Sequence, residues 1–308
     1  MTQHQVDIIG LAETNINWNR NRNNRALTLL CTQFKHSILL NATSNEPSPA
    51  FHKQGGSTLA ILGNVVGTIS NKTIDTTGLG LWVYNILNAK NHRKIVVITV
   101  YRLCHNSLPR GHKTVYSQQY CILRRQNVSN TQPKQLFDRD LITLLTNWRN
   151  NHYEIILMID ANAQILDHRL QKIIRSGQLY DLIAARNGTN SPNTYILGTQ
   201  TIDFIFGTET VYNSVRNAGM LPFNHGIISD HRALWLDLHI PTLFKGNLAD
   251  IYTRPPQLTT KNLNWAKHAR KLITQHLVET NVRKNLDSLL HNMNETPRDL
   301  NIQLLERI

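Results

Sequence analysis

Three features of the sequence predict an α/β fold. Short apolar runs of strand length recur along the chain, at residues 6–12, 37–40, 56–62, 80–87, 94–102 and 154–159. Between two of them, Phe137, Leu141, Leu144, Leu145 and Trp148 fall along one face of a helix over residues 137–149, the period of an amphipathic segment packed on a sheet. Several runs also end abruptly in a carboxylate or an amide, where a loop can carry polar side chains into a cleft at the edge of a sheet.

Taken in order, the run at 6–12 is a strand that delivers Glu13, Thr14 and Asn15 at its end, and a carboxylate placed there can hold a divalent cation. Residues 16–30, rich in Asn and Arg, are expected to form a polar loop leading into a short helix that ends near Phe34. Pro47 and Pro49 mark a loop between the next two strands, and Gly55-Gly56 gives the backbone access to conformations closed to other residues. The run 94–102 is apolar on both faces and reads as a central strand, with Tyr101 and Arg102 where it ends. Residues 105–133 are polar and basic and are expected to be one long loop. It carries Arg110, Lys113, Arg124 and Arg125 among tyrosines, so that positive charge can meet phosphates and rings can stack on bases.

The strand at 154–159 runs into Asp160-Ala161-Asn162, whose alternate side chains can project to the same side. A carboxylate and an amide so placed can orient a water and bind a phosphate oxygen. Residues 168–186 read as helix, and 194–196 are expected to pair with 201–206 in a hairpin around Gly198. After Ile240 the texture changes, with Pro241, Pro255 and Pro256 followed by helical segments from about 263 to 290. A boundary is therefore expected at residue 240, dividing a domain at 1–240 from a basic helical tail or linker at 241–308.

Composition narrows the partners. With 308 residues, 41% of them hydrophobic, the chain can bury a sizeable core. Lys and Arg number 33 against 20 Asp and Glu, a net charge of +13, which favours an anionic partner such as nucleic acid or an acidic membrane surface. Cys31, Cys104 and Cys121 are too few and too scattered for a disulfide framework or a zinc cluster. No apolar stretch reaches about 18 residues and no charged start leads into an apolar run. An intracellular protein, nuclear or cytoplasmic, with no membrane segment is expected.

The run 226–236 sets Asp230 and His231 between a small polar turn and an apolar strand. Upstream, Asp203 is a single carboxylate inside the apolar run 201–206, and a lone buried Asp is costly unless something pairs with it. His231 is the natural partner: an Asp bonded to one ring nitrogen fixes the tautomer and leaves the other nitrogen for a substrate.

Read together, Leu-Ala-Glu-Thr-Asn around Glu13, Gly55-Gly56-Ser57, Val-Tyr-Arg around Tyr101, Ile-Asp-Ala-Asn around Asp160, Ile-Asp-Phe-Ile around Asp203 and Ile-Ser-Asp-His around Asp230 resemble the endonuclease/exonuclease/phosphatase superfamily. Within it they look most like the apurinic/apyrimidinic-type endonuclease domains of non-LTR retrotransposons. The resemblance spans residues 6–240, with six motifs in the family's order. It implies a DNase I-like two-sheet α/β sandwich, here with a helical C-terminal extension, and Mg2+- or Mn2+-dependent cleavage of phosphoester bonds, with DNA as the partner. It further implies that Glu13 is the principal metal ligand, with Asp230 supporting the metal side, and that Asp160 positions or deprotonates the attacking water. Asn162 and Tyr101 would reach the scissile phosphate, and His231, oriented by Asp203, would stabilise charge growing on phosphorus. Arg102, Arg110, Lys113, Arg124 and Arg125 are the expected nucleic-acid contacts.

Members of this superfamily open with a further strand carrying an Asn, and this chain is expected to begin after it, as an N-terminally truncated domain. Ile-Asp-Ala-Asn also stands where Gly-Asp-Phe-Asn is commoner. No reverse-transcriptase signature follows residue 240, so an isolated endonuclease portion of a reverse-transcriptase-associated element is expected. Two other readings stay open: a remnant that binds nucleic acid without cutting it, and a phosphatase acting on another phosphoester.

Overall fold

The computed structural model describes residues 6–20, 36–104, 114–128, 132–188, 191–225, 229–249, 251, 263–281 and 284. Eleven strands are described: β1 (Ile8–Ala12), β2 (Ser37–Ala42), β3 (Ser57–Leu62), β4 (Ile69–Ile74), β5 (Trp82–Asn88), β6 (Lys94–Tyr101), β7 (Glu154–Asp160), β8 (Tyr180–Asp181), β9 (Asp203–Gly207), β10 (Val215–Met220) and β11 (Leu234–Leu238). The described helices are α1 (Val115–Arg125), α2 (Pro133–Asn150), α3 (His168–Gly177), α4 (Ala184–Asn187), α5 (Glu209–Ser214), α6 (Ile240–Phe244) and α7 (Leu263–Glu279).

A six-stranded sheet, ordered β4-β5-β6-β7-β9-β8, forms the centre, and β6 and β7 are its parallel pair. Its middle strands are apolar on both faces because each face supplies a core. Val96, Ile98 and Val100 of β6, Ile155, Leu157 and Ile159 of β7, and Phe204 and Phe206 of β9 pack with Phe137, Leu141, Leu145 and Trp148 of α2 and with Leu170 and Ile173 of α3. The alternate residues Ile95, Val97, Ile156 and Ile205 pack with Leu59 and Ile61 of β3 and with Val215 and Ala218 of β10. That second layer is the three-stranded sheet β1-β3-β2 together with the β10-β11 pair. A period of two along each central strand thus builds a layer of helices on one face and a second layer of strands on the other.

Several elements differ from the sequence reading. The strand β4 carries no apolar alternation, because four of its six residues are exposed along the sheet edge. Residues 115–125, expected within a loop, form α1. Thr114 caps it, its side chain accepting from Ser117 N, and much of its buried side is amide: Gln119 donates to Leu79 O at 3.1 Å, and Ser44 Oγ donates to Gln118 Oε1 at 2.5 Å. Residues 194–196 do not form a hairpin with β9. Instead Tyr195 bridges to His231, Ile196 N donates to Asp230 O, and Arg232 N donates to Thr194 O.

The chain divides into two compact units, 1–251 and 252–308. The first runs past the boundary expected at residue 240, because Leu243 and Phe244 of α6 are buried in the core between the sheets and Arg93 donates to the carbonyls of Thr242 and Leu243. In the second unit the described part is α7. The short helix expected before Phe34 and the helical residues expected beyond 284 lie outside the described residues.

Candidate active site

Strand register brings the first site residues together. The parallel ladder pairs Tyr101 with Asp160, and the antiparallel ladder pairs Asp160 with Asp203. Directly paired residues project to one face of a sheet, and the alternation of the core residues makes this the face covered by the second layer of strands. From that layer β1 ends at Ala12 and presents Glu13.

The bend after β1 is unusual. Glu13 and Asn15 have φ of 50° and 57°, conformations in which non-glycine residues are uncommon. Gly55 and Gly56 make the bend possible: Thr14 N and Asn15 N donate to Gly56 O and Gly55 O, and Gly55 N donates back to Asn15 Oδ1 at 2.9 Å. The glycines themselves have φ of 85° and 90°, and a Cβ on Gly56 would stand 2.8 Å from Ala42 O.

On the opposite side, His231 Nδ1 lies 2.8 Å from Asp203 Oδ2. The histidine is fixed from its backbone as well, His231 N donating to Ser229 Oγ at 3.0 Å. Asp203 is held by Thr194, a fully buried residue whose hydroxyl accepts from Ile202 N and Asp203 N. The Tyr195 ring packs against the imidazole at 5.1 Å. As a result, a ligand atom from each of Glu13, Asp160 and His231 lies within 4.8 Å of the others.

The electrostatics follow from this crowding. Burial pushes the Glu13 carboxyl up; the His231 charge and a hydrogen bond from the Tyr101 hydroxyl act against the rise, while Asp230 and Asp203 add to it. Asp160, 3% exposed, is raised well above the usual carboxylate range by burial first and the Asp203 charge second. The Tyr101 phenol is raised by burial and by Glu13 and Asp160, so it stays protonated. Burial alone would lower the His231 imidazole, but the hydrogen bond and charge of Asp203 outweigh it and push it up to about 9. Near neutral pH the site therefore holds one imidazolium among crowded carboxyls. Clustered, partly dehydrated oxygen donors fit a small hard cation, which would offset both the burial and the mutual repulsion that raise the two carboxyls.

No family model and no curated protein matches the sequence. Solved structures do match. An apurinic/apyrimidinic endonuclease from Leishmania major matches with TM-score 0.54 at 12% identity, over 77% of this chain and 79% of that one. The 3′ phosphatase NExo from Neisseria, bound to a product DNA hairpin, matches with TM-score 0.51 at 11% identity, over 75% and 88%. An apurinic/apyrimidinic endonuclease from Archaeoglobus fulgidus gives 0.50 at 10% identity, over 77% and 90%. The fold is DNase I-like. The chain thus shares with these structures an α/β architecture in which a central sheet lies between a layer of helices and a second layer of strands.

Within that fold the other expected site residues fall into distinct places. Asn162, with φ of 44°, lies beside the cluster: its backbone N donates to Asp160 Oδ1 at 3.1 Å and its Nδ2 donates to Arg102 O at 2.8 Å. It also lines a shallow pocket of about 320 Å³ with Gln164, Tyr195 and Gln200. Asp230 is exposed and influences Glu13 and His231 through its charge, outside the group of Glu13, Asp160 and His231. Arg102 is corrected. It is 1% exposed, and its guanidinium meets both Asp138 oxygens, at 2.7 and 3.0 Å, and Ala161 O at 3.1 Å, so it faces the interior, where the expected contact with nucleic acid has no open surface to use. Arg124 and Arg125 are exposed at the end of α1, with Arg125 paired to Glu46. Arg110 and Lys113 lie outside the described residues. No helix among the described residues is long and apolar enough to cross a membrane.

Sequence alone assigns Thr194, Tyr195 and Asn15 no site role, yet they position the site without themselves carrying the chemistry. A buried threonine that serves two backbone donors has no sequence signature beyond its place before the Asp203 run.

Proposed function

We propose that this chain is a divalent-cation-dependent phosphodiesterase that nicks DNA. The observation that carries this reading is the convergence of Glu13, Asp160 and His231 within 4.8 Å of one another, beside the line of Tyr101, Asp160 and Asp203 across three strands. The net charge of +13 suits a polyanionic substrate, and the six motifs in their order favour an endonuclease of the retroelement type.

Glu13 would hold Mg2+ or Mn2+, with Asp230 supporting the metal side. When bound, such a cation supplies polarisation of the phosphoryl oxygen and stabilises charge developing there. Asp160 orients the attacking water and accepts its proton, a role that suits a buried carboxyl with an elevated pKa. His231, held protonated by Asp203, places positive charge and an N–H beside the phosphate as negative charge grows. Tyr101 steadies Glu13 through its hydroxyl, and Asn162, two residues beyond Asp160 at the end of the same strand, would offer its amide to the phosphate.

The test is relaxation of supercoiled plasmid by the purified chain. Nicking is expected with Mg2+ or Mn2+, lost in EDTA and restored by returning the cation. Nicking that ignores EDTA, or that His231→Ala performs as well as the parent, would overturn the proposal. One structural neighbour is a 3′ phosphatase, and the same site could hydrolyse a phosphomonoester to an alcohol and inorganic phosphate. An oligonucleotide ending in 3′-phosphate, run beside the plasmid, separates the two chemistries.

A further inference from the structure

The bend after Glu13 continues into a rigid lip whose apex is an exposed aromatic ring. Beyond Asn15, Lys53 N donates to Asn15 O, Ile16 bridges to His52, and Asn17 N donates to Phe51 O at 2.8 Å. Asn17 is 1% exposed, and its amide donates to Ser48 O at 3.2 Å and Ala50 O at 2.8 Å, which fixes the turn just before Phe51. Trp18 is buried and its indole donates to Thr14 Oγ1 at 3.2 Å. Arg20 N donates to Asn17 O, and the Arg20 guanidinium lies over the Phe51 ring, 5.3 Å from its centroid. Phe51 itself is 66% exposed.

This combination needs an explanation. Burying a phenylalanine is favourable, and the lip forgoes that gain while fixing the turn that carries the ring with buried polar bonds. An isolated exposed apolar residue is ordinary; one carried by an over-determined turn and paired with a guanidinium has the composition of a site that stacks on bases and meets phosphate. Its position agrees. Phe51 stands across from Asn17, four residues beyond Glu13, and four residues of extended chain span no more than about 14 Å. That is about four base steps along one strand of DNA.

We infer that Phe51, backed by Arg20, is a stacking platform for a nucleobase of the strand being cut, within about four nucleotides of the scissile phosphate. The inference rests on the nuclease reading of the site and adds to it a defined contact on the Glu13 side. Arg20 supplies charge for the neighbouring phosphate, and the ring supplies a surface that tolerates any base.

The platform is tested by binding without cleavage. The full chain carrying His231→Ala is titrated in EDTA against fluorescein-labelled single-stranded and duplex oligonucleotides, followed by anisotropy. In that background Phe51→Leu, which keeps apolarity and removes the ring, is expected to weaken single-strand binding about tenfold. Phe51→Trp should hold it within about twofold, because a larger ring stacks at least as well. The residue is exposed, so thermal melts of these variants should match their background. Binding by Phe51→Leu equal to that of its parent overturns the platform and leaves the nuclease reading intact. A parent that binds neither oligonucleotide at low salt overturns the DNA reading, and the platform with it.

Discussion

Two carboxylate–cation pairs lie within a few residues of each other at the same end of the central sheet, and they differ in one respect. Arg102 and Asp138 are both buried, joined by two bonds at 2.7 and 3.0 Å, and the guanidinium also serves Ala161 O. His231 and Asp203 are joined by one bond at 2.8 Å, with side chains 23% and 16% exposed. The first pair is closed on itself and acts on structure: Arg102 N donates to Asp160 O, and Arg102 O accepts from Asn162, so it fixes the strand end that carries both site residues. The second pair leaves a ring nitrogen and a partly exposed edge for a substrate. Saturation separates a scaffold ion pair from a working one, and only the unsaturated pair can respond to a ligand.

The largest effect expected from breaking this contrast is at the closed pair. Arg102→Ala leaves Asp138 as an uncompensated buried charge and should destabilise the domain by about 3–5 kcal/mol, read from denaturant midpoints. Replacing both partners by apolar residues of similar size should recover much of that loss. A single variant as stable as the parent would show that the pair is not what holds the strand end. At the open pair the larger consequence is on rate: His231→Ala should lower the nicking rate about 10²–10³-fold, and its loss of stability below about pH 9 should be smaller than that of Arg102→Ala.

Asp203→Asn then sharpens the electrostatic side of the comparison. In the parent, burial lowers the imidazole and Asp203 more than reverses this, to about 9. Because the folded value lies above the unfolded 6.5, the pair's contribution to stability is complete below about pH 6.5 and is lost as pH rises through about 9. NMR titration of His231 in EDTA should place its midpoint near the higher value. In Asp203→Asn the burial effect meets only the weaker pull of the Asp160 and Asp230 charges, so the midpoint should fall toward that of an ordinary histidine. An unchanged midpoint would remove Asp203 from the argument.

The difference between the two pairs also explains what was legible in the sequence. Asp203 and His231 could be paired because a carboxylate in an apolar run demands a partner and the Asp-His dipeptide ends the next apolar approach. Arg102 misled the reading, because an arginine at a strand end looks like a phosphate contact until its own partner, Asp138, is brought over by α2 from a different part of the chain. The central strands were legible because both faces are apolar. The edge strand β4 was not, since its exposed side chains carry no pattern. The helix α1 was hidden for a related reason: part of its buried side is made of Gln118 and Gln119, satisfied by tertiary hydrogen bonds that periodicity does not report. Arg102 and Asp138 meet across 36 residues, and His231 and Asp203 across 28, so separation does not decide legibility. A polar residue is readable when its environment leaves it one obvious partner.

Glu13 marks a third way of placing a charged group, without a cation of its own, through backbone geometry. The left-handed φ values of Glu13, Asn15, Gly55 and Gly56 interlock, so substitution at Gly56 tests whether that geometry sets the carboxylate. An alanine there must keep φ near 90° and bring its Cβ to 2.8 Å from the carbonyl oxygen of Ala42, so a cost of about 1–3 kcal/mol is expected. Gly188 offers the control. It has a φ of 81°, yet a Cβ there meets nothing within 4 Å, so Gly188→Ala carries the conformational part of the penalty alone. If crowding at the bend matters, Gly56→Ala should be the less stable of the two variants. It should also lose nicking rate when both are assayed well below their melting points, since the Glu13 carboxylate is displaced in one and untouched in the other. Equal behaviour of the two would mean that the bend adapts, and that Glu13 reaches the cluster through β1 rather than through its turn.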